Sequence, residues 1–131
     1  MIKSGIDIIQ ISRVAEKINK NSGFLDIILT EQEKKYCNSR VGSVSDDAKK
    51  YQSVAGIYAV KEAFFKAIGC GIKSLSDLKN VEVRHFETGE PYLKILNPNI
   101  LNCLKEKFIS TSISISHDGD MAVAICMLET Q

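Results

Sequence analysis

No run in the 131-residue sequence is apolar and long enough to span a bilayer. The opening Met1-Ile2-Lys3-Ser4-Gly5-Ile6-Asp7 is too poor in apolar residues for a signal peptide and places an acid where an apolar core would run. A membrane is therefore not an expected partner. Neither sign of charge dominates: the formal net charge is +1, which provides no general attraction to nucleic acid, so electrostatic recognition has to come from a local patch. The four cysteines, Cys37, Cys70, Cys103 and Cys126, include no C-x-x-C pair. That argues against a zinc site or a redox motif and for a reduced, cytoplasmic protein. Long polar tracts and internal repeats are also missing, and 44% hydrophobic with 25% charged residues is a globular composition. Residues 1–131 read as one domain with its own core.

What is present is punctuated clearly. Ile2 to Ile9 is apolar on both parities except at Lys3, Ser4 and Asp7, the pattern of a strand buried over most of its length. From Gln10 the spacing turns helical, with Ile11, Val14, Ala15 and Ile18 on one stripe, until Asn21-Ser22-Gly23. Phe24 to Leu29 is an apolar stretch. Thr30 with Glu33 is a capping-box signature for a short helix through about Cys37, and serine-rich Asn38 to Asp47 reads as a loop. A long helix follows from about Asp46 to Ile68, with Gly69 and Gly71 placed to end it in a left-handed turn. Val81–Phe86 and Pro91–Leu96 form a hairpin around Glu87-Thr88-Gly89. Asn97-Pro98 predicts a helix through about Phe108, and Thr111–Ser116 pairs with Met121–Leu128 around His117-Asp118-Gly119-Asp120. The sum is an α+β domain, a mainly antiparallel sheet packed against one long helix.

Several residues carry chemistry. Glu62 and Lys66, four apart on the long helix, share a face with Ala55, Tyr58 and Ala59. Taken alone they read as an ordinary surface ion pair. Asp7 is a carboxylate inside an apolar strand, which is compensated by a cation, by hydrogen bonds or by exposure at the strand end; the structural reading is a cap on the following helix. Were the strand and the long helix to cross, Asp7 and Glu62 would offer two hard oxygen ligands of the kind magnesium takes beside phosphates. His117, at a hairpin end, either faces a ligand or caps the turn. His85 reads as surface or packing. Arg13, Lys17 and Lys20 stack along one side of the first helix, a solvated face or a docking stripe.

Three segments together resemble the holo-acyl-carrier-protein synthase family of 4′-phosphopantetheinyl transferases. They are Gly5-Ile-Asp7-Ile-Ile with Arg13, Ala59-Val-Lys61-Glu62-Ala-Phe-Phe-Lys66-Ala-Ile-Gly69, and Ser114-Ile-Ser116-His117. The likeness extends over Ile28-Leu29-Thr30 and Gly89-Glu90-Pro91-Tyr92. The resemblance implies magnesium-dependent transfer of the 4′-phosphopantetheine arm of coenzyme A to a serine of an acyl carrier protein, in support of fatty acid biosynthesis. It implies that Asp7 and Glu62 hold the magnesium, that Glu62 and Lys66 are catalytic, and that Lys66, His117, Gly69 and Gly71 bind coenzyme A. It further implies that Arg13, Lys17 and Lys20 dock the carrier, and that three copies assemble with active sites between them. The pattern departs at Ile57, where the family carries arginine, and Lys49 and Lys50 are the nearby cations able to substitute. Two other functions stay open: a coenzyme A- or carrier-binding module without catalysis, and a broad transferase for peptide-synthesis carriers, which the short chain disfavours.

Overall fold

The computed structural model describes residues 1–40 and 47–131, so part of the expected loop at Asn38 to Asp47 lies outside the described residues. Strand β1 (Ile2–Gln10) leads into helices α1 (Ile11–Lys20), α2 (Phe24–Ile28), α3 (Glu31–Ser39) and α4 (Asp47–Ile68). Then come strands β2 (Val81–His85), β3 (Pro91–Ile95), β4 (Phe108–Asp118) and β5 (Met121–Thr130). β1, β5 and β4 form one antiparallel sheet in that order, and β2 and β3 form a separate hairpin. The α+β expectation holds.

α4 is the spine of the core. Val54, Ala59, Val60, Ala63 and Phe64 are all fully buried, and Ala122, Ala124, Cys126 and Leu128 of β5 face inward beneath it. A close crossing sets the position of β1. A Cβ at Gly5 would overlap the Ala63 carbonyl and the Ala67 amide, so only glycine lets the strand lie directly on this helix. The crossing carries Asp7, two residues on, to the Glu62 side of α4.

The capping box closes as expected, with Thr30 N donating to Glu33 Oε1 at 2.9 Å and Glu33 N to Thr30 Oγ1 at 3.2 Å. Gly69 ends α4 at φ 79°, while Gly71 does not adopt positive φ. Only one of the two glycines makes the left-handed turn. The helix expected from Pro98 to Phe108 is instead a 3-10 helix, Pro98–Cys103. Beyond it, Lys107 N donates to Gln131 O and Gln131 N to Lys107 O, so strand pairing takes the residues a longer helix would need. A second 3-10 helix, Leu75–Asn80, starts on a Ser74/Asp77 capping box that the sequence displays as S-x-x-D.

β1 departs from its expected burial. Ile2, Ile6 and Ile8 are about 60% exposed, on the sheet face turned away from α4. An apolar pattern on both parities signals a strand covered on both faces, and one chain covers only one. The cysteines also depart from the reduced reading: Cys70 and Cys103 are bonded as a disulfide, while Cys37 and Cys126 are free and buried.

Candidate active site

Asp7 sits within β1 and does not cap α1. Gln10, at the N-cap of α1, makes no side-chain cap, and Asp120 serves instead, accepting from Ile11 N through its carbonyl and from Ser12 N and Oγ through its carboxylate. Asp7 faces α4, where Lys66 Nζ donates to Asp7 Oδ1 at 3.1 Å and to the Ile6 carbonyl at 3.0 Å. The ion pair that forms is thus Lys66 with Asp7, across two elements, and the surface pair with Glu62 does not form.

Asp7 and Glu62 line one cavity of about 300 Å³ together with Arg13, Lys17 and Tyr58. Burial raises the Glu62 carboxyl above its ordinary value, and the neighbouring Asp7 charge adds to the shift, against Lys66 and Lys17. Burial and the same two carboxylates push the Tyr58 phenol up to about 12. Lys17 Nζ lies 5.7 Å from the Tyr58 ring centroid and 5.8 Å from that of Phe24, within cation–π range. Lys17 therefore belongs to this cavity as well as to the α1 surface. Lys20 is exposed on α1 and does not line the cavity.

A second cavity, of about 330 Å³, adjoins the first through Glu62 and is walled by Phe65, Lys66, Gly69, Cys70, Gly71 and Ile72. Gly69 and Gly71 thus line the same cavity as Glu62 and Lys66. His117 stands elsewhere. Its Nε2 is 3.0 Å from the Gln52 carbonyl, near the other end of α4. Ten residues of helix rise separate Gln52 from Glu62, about 15 Å. Gly56 admits this approach, since a Cβ there would lie 3.3 Å from His117 Nε2.

The His117 cavity, about 250 Å³, also contains Arg40, Lys49, His85 and Ile57. Lys49 does reach the neighbourhood of Ile57, and Lys50 does not line it. Arg40 supplies a further cation that sequence reasoning missed, as no local pattern connects it to α4. His85 packs, as its sequence context suggests: its ring stacks on Tyr36 at 3.9 Å, and burial lowers its pKa.

Lys61 directly precedes Glu62 in the Ala59–Gly69 motif segment. It is fully buried, with Nζ donating to Glu33 Oε1 at 2.6 Å and to the Ile28 carbonyl at 2.8 Å. Glu33 Oε2 accepts from Val83 N at 2.7 Å. The capping glutamate of α3 thereby locks α4, α2 and β2 together one residue before Glu62. A charged lysine directly preceding Glu62 in an otherwise apolar turn was the available signal.

The site so built pairs two carboxylates and a lysine with a separate basic cavity, on a helix that crosses a strand. Residues 3–126 match the model of the 4′-phosphopantetheinyl transferase superfamily, and the chain belongs to that family. Among its relatives, the holo-[acyl-carrier-protein] synthase of Cytophaga hutchinsonii is 33% identical over 127 residues, covering 94% of this chain and 93% of that one. The holo-[acyl-carrier-protein] synthase of Halothermothrix orenii is 35% identical, covering 95% and 94%. The crystal structure of the Bacillus anthracis holo-(acyl-carrier-protein) synthase in complex with CoA (3′,5′-ADP) aligns with a TM-score of 0.74 at 33% identity, over 98% of this chain and 96% of that one. The Helicobacter pylori holo-[acyl-carrier-protein] synthase in complex with coenzyme A aligns with a TM-score of 0.76 at 27% identity, over 98% and 100%.

Proposed function

We propose that residues 1–131 act as one transferase domain, a holo-[acyl-carrier-protein] synthase that moves the 4′-phosphopantetheine arm of coenzyme A onto a carrier serine. The observation that carries this is the convergence of Asp7, Glu62 and Lys66, from β1 and α4, in a chain whose relatives are named for this reaction.

The donor set fits magnesium. Among the described residues no third histidine, cysteine or acid joins Asp7 and Glu62, which suits a hard cation that completes its shell with water and phosphate oxygens and does not suit zinc. Burial, with the neighbouring Asp7 charge, raises Glu62, and a cation held by these two acids would offset that penalty. Bound there, magnesium would supply charge neutralisation to the pyrophosphate. The carrier serine attacks the pantetheine-side phosphorus and 3′,5′-ADP leaves. Lys66, its side chain 56% exposed, turns its ammonium from Asp7 toward the reacting phosphate and stabilises charge that develops in transfer. Glu62 orients the water or serine hydroxyl that gives up its proton. Gly69 and Gly71 let the substrate pass close to the backbone beside Lys66.

Arg13, Lys17 and Lys20 are the docking stripe for the acidic carrier. The assembly is a homotrimer with sites between subunits. The uncovered face of Ile2, Ile6, Ile8, Ile125 and Met127 supports association, and the position of His117 beside Gln52, about ten helix residues from Glu62 along α4, supports completion of the site by a neighbour. No described helix is long and apolar enough to cross a membrane, and the enzyme works in the cytoplasm in support of fatty acid biosynthesis. The test is to incubate the protein with coenzyme A, magnesium and an apo-carrier and weigh the carrier. A mass gain equal to the phosphopantetheine arm is expected, and an unmodified carrier leaves only the binding-module reading.

A further inference from the structure

We infer that Cys70 and Cys103 form a reversible thiol–disulfide site on the wall of the cavity that holds Glu62 and Lys66. The two sulfurs are bonded across a Cα–Cα distance of 6.4 Å and join points 33 residues apart. Cys70 lies between Gly69 and Gly71, in the segment that leaves α4 and closes one side of the cavity. Gly69 N donating to the Lys66 carbonyl at 3.2 Å is the backbone hydrogen bond found for that segment as far as Ile72. Cys70 and Ile72 pack partly buried against the core while the flanking Gly69 and Gly71 add no side-chain contact, and the bond to Cys103, last residue of a 3-10 helix, ties this wall covalently to the rest of the fold.

The other cysteines are poor candidates for exchange. Cys37 and Cys126 are buried, and burial pushes both thiols up to about 12. Cys103 is exposed and Cys70 half-buried, so an incoming thiolate meets Cys103 first. Its attack forms a mixed disulfide at Cys103 Sγ and breaks the bond to Cys70, which leaves as a thiolate and takes a proton. A second reductant thiol then releases Cys103 and becomes the oxidised disulfide. Two electrons and two protons enter the protein, and oxidised glutathione reverses the exchange. In the reducing compartment proposed above, a disulfide of this kind is transient and responds to redox state. Its effect on coenzyme A binding rests on the proposed function, while the exchange chemistry does not.

The test equilibrates the protein in glutathione buffers from reduced to oxidised, alkylates it in denaturant and weighs it. Two alkylated thiols are expected in oxidised buffer and four in reduced buffer, and an unreduced peptide map should join Cys70 to Cys103. Binding of a coenzyme A thioether, whose sulfur is blocked, should weaken roughly three- to tenfold on reduction, because the wall loses its preorganisation. Cys103→Ser should bind at the weaker level in every buffer. Four thiols throughout overturn the site, and so does equal affinity in both states and in the variant. If the thioether binds in neither state, the functional reading has failed separately. Amide hydrogen exchange of residues 69–73 then decides: faster exchange on reduction supports the site, and equal exchange overturns it.

Discussion

Lys66 Nζ lies 3.1 Å from Asp7 Oδ1, joining residues 59 apart in sequence at the point where β1 crosses α4. The contact holds an exposed ammonium against a half-buried carboxylate, and under the proposed function both act on the reacting phosphate. Asp7→Asn should reduce transfer by about 10³, and Lys66→Ala should lower kcat by about 10² with a smaller change in coenzyme A affinity. Circular dichroism should show both variants folded. Weaker coenzyme A affinity with kcat unchanged in Lys66→Ala would place its role in ground-state binding.

Glu62→Gln should be inactive yet, without magnesium, more stable than the parent at neutral pH. The folded-state Glu62 is raised, so between its ordinary value and its raised value the native state binds more protons than the unfolded one. Stability therefore falls as pH rises through that window, and above it the whole penalty persists. Thermal melts should show the variant's advantage at pH 7 closing below about pH 4, in the ordinary glutamate range. Added magnesium should raise the parent's Tm and not the variant's. A variant less stable at neutral pH speaks against a native-state penalty, from burial and the Asp7 charge, on the ionised Glu62.

Lys61→Met leaves Glu33 charged and buried without its cation, and Glu33→Gln does the reverse. Each should cost about 3–5 kcal/mol in urea unfolding, and the double variant should cost clearly less than their sum. Strict additivity would mean that the two groups are not coupled. Reduced transfer in surviving native protein is also expected, since the pair anchors α4 beside Glu62.

Arg13→Glu and Lys20→Glu should raise the KM for carrier by about tenfold with little effect on that for coenzyme A, and should flatten the salt dependence. Lys17→Glu should also lower kcat, because Lys17 sits over Tyr58 in the cavity of Glu62. An unchanged carrier KM in all three variants would remove α1 from the docking surface.

The sequence by itself determined the features whose causes are local. The Thr30/Glu33 capping box, the left-handed Gly69, the hairpin at Gly89 and the long helical run into Ile68 each depend on neighbours a few residues away. The order and spacing of Asp7, Glu62 and Lys66 were legible too, although their meeting was not. The tertiary structure decided that meeting through the close approach of Gly5 to Ala63 and Ala67. It also decided that Lys66 pairs with Asp7, that Glu33 extends beyond its own helix cap to hold Lys61, and that His117 stands near Gln52. The bonding of Cys70 to Cys103 and the replacement of a long helix after Pro98 by pairing of Lys107 with Gln131 are of the same kind. All of these join groups far apart in the chain, where distance and burial in the folded core, not sequence spacing, select which partner a charge, a thiol or a backbone amide finds.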